Sequence, residues 1–124
     1  MMITNPSLLP KVRSKALMAS ARGQPCSLRI ASFIGLQCSG TETVVGCHLP
    51  VTGRGVATKA TDLAVAFGCQ TCHDILDGRN HNALAVIREK YPAALGFRLL
   101  DALVETQARL VGMGILQIDG MEVI

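Results

Sequence analysis

The sequence predicts a small α+β domain held together in part by a metal ion. Three observations point there. Short β-branched runs separated by glycines occupy the first half, a Cys-x-x-Cys pair opens a helix near the middle, and an amphipathic helix fills much of the remainder. The pair is Cys69 and Cys72, followed directly by His73. Two thiols so spaced can grip one ion and leave the adjacent imidazole for other work.

At 124 residues the chain makes one domain, of a size whose hydrophobic core is modest. It has no Trp, one Tyr and three Phe, so the core must be built from Ala, Leu, Val and Ile, each contributing little area. A structural zinc would compensate, because its binding energy, on the order of 10 kcal/mol or more in small finger peptides, appears directly as folding energy.

Residues 1–20 read as an N-terminal arm and 21–124 as a single domain. The arm is poorly ordered to Pro10, and Lys11 to Ala21, with Ala, Leu, Met and Lys, predicts a short basic helix broken by Gly23-Gln24-Pro25. Leu28–Ile30 and Thr43–Cys47 predict two short strands, with turns at Gly35 and Ser39-Gly40 and His48 at the end of the second. A loop rich in Gly, Thr and basic residues follows to Thr61 and carries Arg54 and Lys59. An apolar run, Leu63 to Phe67, leads into Gly68-Cys69, and a helix of one or two turns runs from Cys72 to Asp77, stopped by Gly78. Ala83–Lys90 is a further helix ending before Pro92. In the long helix Ala94–Val111, Leu99, Leu100, Leu103, Val104, Leu110 and Val111 form one apolar stripe, and Arg98, Asp101, Glu105 and Arg109 face outward. Ile115–Ile118 and Met121–Ile124 around Asp119-Gly120 spell a terminal hairpin.

Charge is divided unevenly. Residues 1–60 hold seven Lys or Arg against one acid, Glu42, and residues 61–124 hold five against eight. The basic half suits a polyanion, since each cation that neutralises a phosphate releases a condensed counterion. A net charge of +3 is equally that of an ordinary solvated surface. No stretch has the ~18 apolar residues that cross a bilayer, and no membrane partner is expected. The first ten residues place basic groups after the apolar patch and contain Pro6 and Pro10, unlike a secretory signal, so a cytoplasmic location is expected. Five cysteines in a reducing compartment then point to metal or redox chemistry.

Cys26, Cys38, Cys69 and Cys72 together could hold one structural zinc as thiolates; the alternative is buried, unligated cysteines. Cys47, inside a strand, reads as a small core residue. Cys-x-x-Cys-His is also the spelling of a c-type haem attachment site, which would leave two further cysteines and the basic loop unexplained. A thioredoxin-like use lacks the strand and long active-site helix around it. His48 is either a hydrogen-bonded strand-end residue or a general base, its imidazole able to take a proton from water near neutral pH. A divalent ion beside it would need hard or borderline ligands: His73, with Asp62 and Asp77 as candidates. His73 and Asp77 share one helix face, whether as ligands or as a simple surface pair.

Taken in order, these residues resemble the HNH branch of the His-Me finger nucleases and, more narrowly, the small prophage-encoded nuclease family typified by YbcO. The resemblance rests on Ala21-Arg22-Gly23 with Cys26, then Cys38, a strand ending in His48, the Gly/Thr/Lys loop, Asp62-Leu63, and Cys69-Gln-Thr-Cys72-His73-Asp74 at a helix start, and covers about residues 21–81. It implies a ββα-metal core, two strands, a loop and a helix stapled by structural zinc, with extra C-terminal helices. By position it makes His48 the general base, His73 the last metal-binding histidine and Asp62 the counterpart of the usual Asn, and it makes Cys26, Cys38, Cys69 and Cys72 the zinc ligands. Two departures stand out: Cys47 occupies the place where many relatives carry a metal-binding His or Asp, and Asp62 is slightly farther from the Cys pair than the usual Asn.

The function so implied is a metal-dependent endonuclease acting on nucleic acid, DNA in the first instance. His48 activates water, a magnesium or manganese ion sits on His73 with Asp62 or Asp77, and Arg54 and Lys59 hold the backbone. The rival is a catalytically silent, zinc-stapled module that binds nucleic acid or a phage protein. The long helix and the terminal segment could also form a homodimer surface.

Overall fold

The computed structural model describes residues 9–51 and 60–124. Among them lie four α-helices and two strands: α1 Lys15–Ala19, β1 Val45–His48, β2 Val65–Gly68, α2 Gln70–Leu76, α3 Ala83–Lys90 and α4 Pro92–Gly112, with 3-10 turns at Ala31–Ile34, Thr41–Thr43 and Asp62–Ala64. The mixed α+β class matches the expectation.

β1 and β2 pair antiparallel, Val45 opposite Gly68 and His48 opposite Val65. Facing residues of such a pair share a side of the sheet, so Cys47 lies with Ala66 on one side and His48 with Val65 on the other. All four residues of β2 are buried, and α4 packs against the strand. Its outer edge is closed by other means than a third strand. The Phe67 carbonyl accepts the amides of Ser27 at 2.8 Å and Leu28 at 3.1 Å, and the Phe67 amide donates to the buried Thr106 hydroxyl at 3.0 Å. A polar residue in the core face of α4 is thereby explained: it satisfies an edge amide that would otherwise be buried and unpaired.

Three sequence expectations are corrected here. Leu28–Ile30 is not a strand, because two successive amides converge on one carbonyl and Arg29 turns out of the extended region at φ 44°. The second strand comes instead from the apolar run before Cys69. The terminal hairpin is absent as well: the turn exists, with the Met121 amide on the Ile118 carbonyl at 3.0 Å and Gly120 at φ +75°, but residues 115–124 form no ladder. An isolated two-stranded hairpin is marginal in water, and nothing packs on Ile118, Val123 or Ile124, all of them exposed. In α4 the core-facing line is Leu95, Ala102, Thr106 and Leu110, flanked by half-buried Leu99 and Leu103, while Leu100 and Val104 are 56% and 58% exposed. The stripe is turned because Thr106 has to meet β2 and Ala102 lets the backbones approach closely.

The basic helix expected over Lys11–Ala21 is confined to Lys15–Ala19, where the Ser14 hydroxyl caps it by accepting the Leu17 amide at 3.1 Å. It lies on β1 at a glycine: a side chain on Gly46 would meet Met18 at 3.0 Å. α2 ends where Gly78, at φ +78°, turns the chain, and α3 spans the residues expected of it. Among the described residues no helix is long and apolar enough to cross a membrane.

Candidate functional site

The four cysteines expected from the sequence to share one ion come together. Cys26 lies ahead of the first 3-10 turn, Cys38 ahead of the second, Cys69 caps α2 and Cys72 sits in its first turn. Their sulfur atoms all lie within 4.8 Å of one another, with Cys38 Sγ and Cys72 Sγ 3.8 Å apart. Tetrahedral zinc with Zn–S bonds of ~2.3 Å spaces its sulfurs about 3.8 Å apart, so the set fits such an ion. Backbone amides point at the sulfurs: Cys69 and Arg29 donate to Cys26 Sγ at 3.3 and 3.5 Å, and Ser39 donates to Cys69 Sγ at 3.3 Å. The Ser39 hydroxyl lies 2.5 Å from that of Thr71 and accepts the Thr71 amide at 3.2 Å, tying the Cys38 segment to α2.

Electrostatics argue for the same occupant. Cys26 is lowered to about 5, chiefly by the hydrogen bond from Cys72 against the opposing effect of burial. That same bond, with burial, pushes Cys72 up, and burial followed by the charge on Cys26 raises Cys38 to about 11. One thiolate is thus tolerated at the expense of its neighbours; four require a cation between them. The Cys26 segment is anchored from outside by Glu105 of α4, whose carboxylate accepts both terminal nitrogens of Arg29 at 2.9 Å and lies 3.3 Å from Arg109 and 3.6 Å from Arg98. Arg98 also donates to the Ser27 carbonyl at 3.3 Å.

Cys47 stands apart from the four. It is buried in the sheet, its sulfur filling space left by the missing side chain of Gly68, and burial pushes its thiol up to about 12.

His48 and Asp62 meet. His48 Nε2 is 2.8 Å from Asp62 Oδ1, and the other carboxylate oxygen accepts the Ser14 amide at 2.7 Å. Asp62 is only 6% exposed, and His48 28%. Burial would raise the Asp62 carboxyl, but the Ser14 amide and the His48 ring, with Arg13 nearby, outweigh it and hold the group below its ordinary value of 3.8. As a carboxylate Asp62 can only accept, so the shared proton belongs to His48 Nε2, and Nδ1 is the basic nitrogen of the neutral ring.

The segment that supplies Ser14 is part of the arm. Val12 donates to Thr61 Oγ1 at 3.1 Å and accepts the Asp62 amide at 2.8 Å, so the chain from Val12 onward is laced to residues 61–62. A depression of about 360 Å³ opens there, lined by Arg13, Ser14, Lys15, Met18, His48 and Asp62. Sequence reasoning did not join residues 13–15 to His48. The basic character of Arg13 and Lys15 is legible, but nothing in the spacing reveals that Ser14 pairs with Asp62, 48 positions on.

The second histidine has its own carboxylate. His73 Nε2 is 2.9 Å from Asp77 Oδ2 on the shared face of α2, and Arg79 reaches Asp77 and Asp74 at 3.6 Å. The two candidate acids therefore divide, Asp62 going to His48 and Asp77 to His73. Arg54 and Lys59 lie outside the described residues.

Comparison with known proteins follows this geometry. Residues 15–114 match the family model described as "Putative nuclease YbcO". Among solved structures, the chain is similar to one titled as a putative bacteriophage protein from Escherichia coli str. K-12 substr. MG1655. The two are 26% identical, the match covers 78% of this chain and 98% of that one, and the TM-score is 0.52. No curated protein matches. The family match spans α1, both strands, the four cysteines, both histidine–aspartate pairs and α4, and on that evidence the chain belongs to the YbcO family.

Proposed function

We propose that this protein is a metal-dependent endonuclease of the HNH, or His-Me finger, type, built on a ββα-metal core of β1, β2 and α2 and hydrolysing phosphodiester bonds of nucleic acid, DNA in the first instance. Prophage origin is part of the same reading, supported by the titled likeness to a bacteriophage protein. The observation that carries the proposal is the buried Asp62 carboxylate on His48 Nε2 at the end of β1, beside an open depression with two basic side chains.

In this reading Cys26, Cys38, Cys69 and Cys72 hold a structural zinc, and residues 21–124 are the domain to which the arm adds its last few residues. Asp62 acts as a positioning residue: its carboxylate accepts from His48 Nε2 and so fixes the ring and its tautomer. His48 takes a proton from a water as its oxygen bonds to phosphorus, the P–O bond to the leaving sugar oxygen breaks, and that oxygen gains a proton from solvent. His73 and Asp77 would hold a magnesium or manganese ion. Their facing atoms are 2.9 Å apart on one helix face, so the two side chains could reach one ion together. Such an ion supplies charge stabilisation at the phosphate oxygens. Arg54 and Lys59 are assigned to the phosphate backbone.

One observation favours a second reading, a silent zinc-stapled module that binds nucleic acid or a phage protein. Cys47 occupies the place where many related nucleases carry a metal ligand, and here it is buried with its thiol raised to about 12. Plasmid nicking with added magnesium or manganese separates the two. The enzyme reading expects cleavage by the wild type and a loss of at least 100-fold in His48→Ala with zinc content and melting unchanged. Absence of metal-dependent cleavage of DNA or RNA by the wild type would transfer the assignment to the binding module.

A further inference from the structure

Several of the described cations are held by acids. Arg29, Arg98 and Arg109 converge on Glu105, and Arg79 lies on Asp74 and Asp77. Among the described residues, Arg13, Lys15 and Arg22 enter no such ion pair and are exposed, as are Arg88 and Lys90 of α3, but only the first three adjoin His48 or α1. Arg13, Lys15 and Arg22 lie on or beside α1. Arg13 and Lys15 line the depression that holds His48, and Arg22 lines a second depression of about 380 Å³ with Met18, Ala19, Val44 and Val45. Both depressions include Met18, so they adjoin.

The walls suit a polymer backbone better than a small anion. The surface between the cations is made of Ala19, Met18 and two valines, with no acid apart from Asp62, whose oxygens already accept from His48 and Ser14. Gly46 lets α1 lie close on β1, since a side chain there would meet Met18 at 3.0 Å. The backbone at Ser14 is fixed by its bond to Asp62, which sets where Arg13 and Lys15 begin.

We propose that the α1 side of the sheet is a phosphate track, in which Arg13, Lys15 and Arg22 hold successive phosphates of a nucleic-acid strand leading to or from His48. It rests on the nuclease reading for what happens at His48, but not for the binding itself. Contacts of this kind carry affinity and register without base identity.

The test measures binding on the His48→Ala background, which leaves the probe intact. Fluorescence anisotropy follows a labelled 20-nucleotide single strand and its duplex, as DNA and as RNA, across a salt series. Arg13→Gln/Lys15→Gln is compared with Arg88→Gln/Lys90→Gln on α3, so that net charge changes equally. The track expects the first pair to lower the slope of log affinity against log salt by about 1.4 for a single strand or 1.8 for duplex, and the second pair to change it little. Arg22→Gln should remove a further ~0.7–0.9. The DNA and RNA arms say which strand is preferred. Equal slope changes for the two pairs, or no salt-dependent binding of any probe, would overturn the track. The two proposals fail separately: His48-dependent cleavage with unchanged slopes sinks the track alone, and the expected slopes without wild-type cleavage sink the nuclease alone.

Discussion

Stripping metal from the four-sulfur centre is the perturbation expected to have the largest effect on this protein. The sulfurs come from two separate stretches of chain, and the one that carries Cys26 and Cys38 contains only 3-10 turns before β1. Two of the hydrogen bonds that tie it to the rest of the molecule are amides directed at sulfur. Phe67 is the one aromatic side chain in the buried core, so apolar burial has little reserve. A structural zinc contributes on the order of 10 kcal/mol or more, whereas a domain of this size has a net stability of ~5–15 kcal/mol. Removal should therefore unfold most of the chain at 25 °C. Elemental analysis is expected to give one zinc per chain, and far-UV circular dichroism should lose its helical signal and cooperative melt on chelation and regain both on adding zinc. Cys72→Ser should reproduce the chelated state in milder form. A metal-free protein that melts within a few degrees of the loaded one, or a purified protein with far less than one zinc per chain, would refute the argument.

Other consequences concern single side chains. Gly68→Ala places a methyl 2.5 Å from Leu28 Cδ1 and 2.7 Å from Cys47 Sγ, both in the core, and should cost about 1–3 kcal/mol in chemical denaturation; an unchanged midpoint would mean that the sheet and Leu28 are not packed as described. Glu105→Gln leaves three arginines without their shared carboxylate and should lower stability by about 1–2 kcal/mol, the lower part of the range because Arg29 is half exposed, and it should speed zinc release to a chelator by loosening the Cys26 segment. Asp62→Ala, which removes the acceptor of His48 Nε2, should reduce metal-dependent nicking at least tenfold with zinc content retained, and undiminished cleavage would remove Asp62 from the mechanism. Acid should act through both carboxyls. Each is held below its ordinary value, 3.8 for Asp62 and 4.5 for Glu105, so their stabilising contribution is present above those values and is lost as pH falls through the lowered ones. Melting temperature against pH, with zinc content followed in parallel, should therefore drop below about pH 4.5, and more gently in Asp62→Asn/Glu105→Gln.

Local chemistry was legible in the sequence and long-range pairing was not. Thiol spacing, the glycine after α2 and the proline bounding α3 act within a few residues, and the structure has them where the sequence predicts. Cys26 and Cys38 were found by ligand type and not by spacing, since the turns that fold them onto α2 leave little pattern. The strand misassigned to Leu28–Ile30 has the right residues, but the open edge of β2 takes two of its amides at one point and stops there. In α4, apolar periodicity placed Leu100 and Val104 inward, while the need of one buried amide for a hydroxyl turned the helix toward Thr106. Among the candidate site residues, the His73–Asp77 pair followed from helical spacing alone. The His48–Asp62 pair depends on strand register, and the contribution of Arg13 to Lys15 depends on where the arm returns to the domain.

Register is also what ties the four-cysteine cluster to the histidine. β2 is four residues long, with Asp62 just before it and Cys69 just after, so the same short strand sets the place of the carboxylate at one end and of the thiols at the other. β1 must then pair in one way only. A slip of one residue would turn His48 into the core and Cys47 out to the α1 side, reversing the chemistry of the two faces. Two glycines oppose that slip. Gly68 leaves room for Cys47 Sγ and Leu28 on the inner side, and Gly46 leaves room for Met18 on the side of His48. A slipped strand would set a side chain against each of these contacts and take Asp62 from His48 Nε2. The same packing that keeps Cys47 from serving as a ligand therefore holds His48 on the open face beside Arg13 and Lys15.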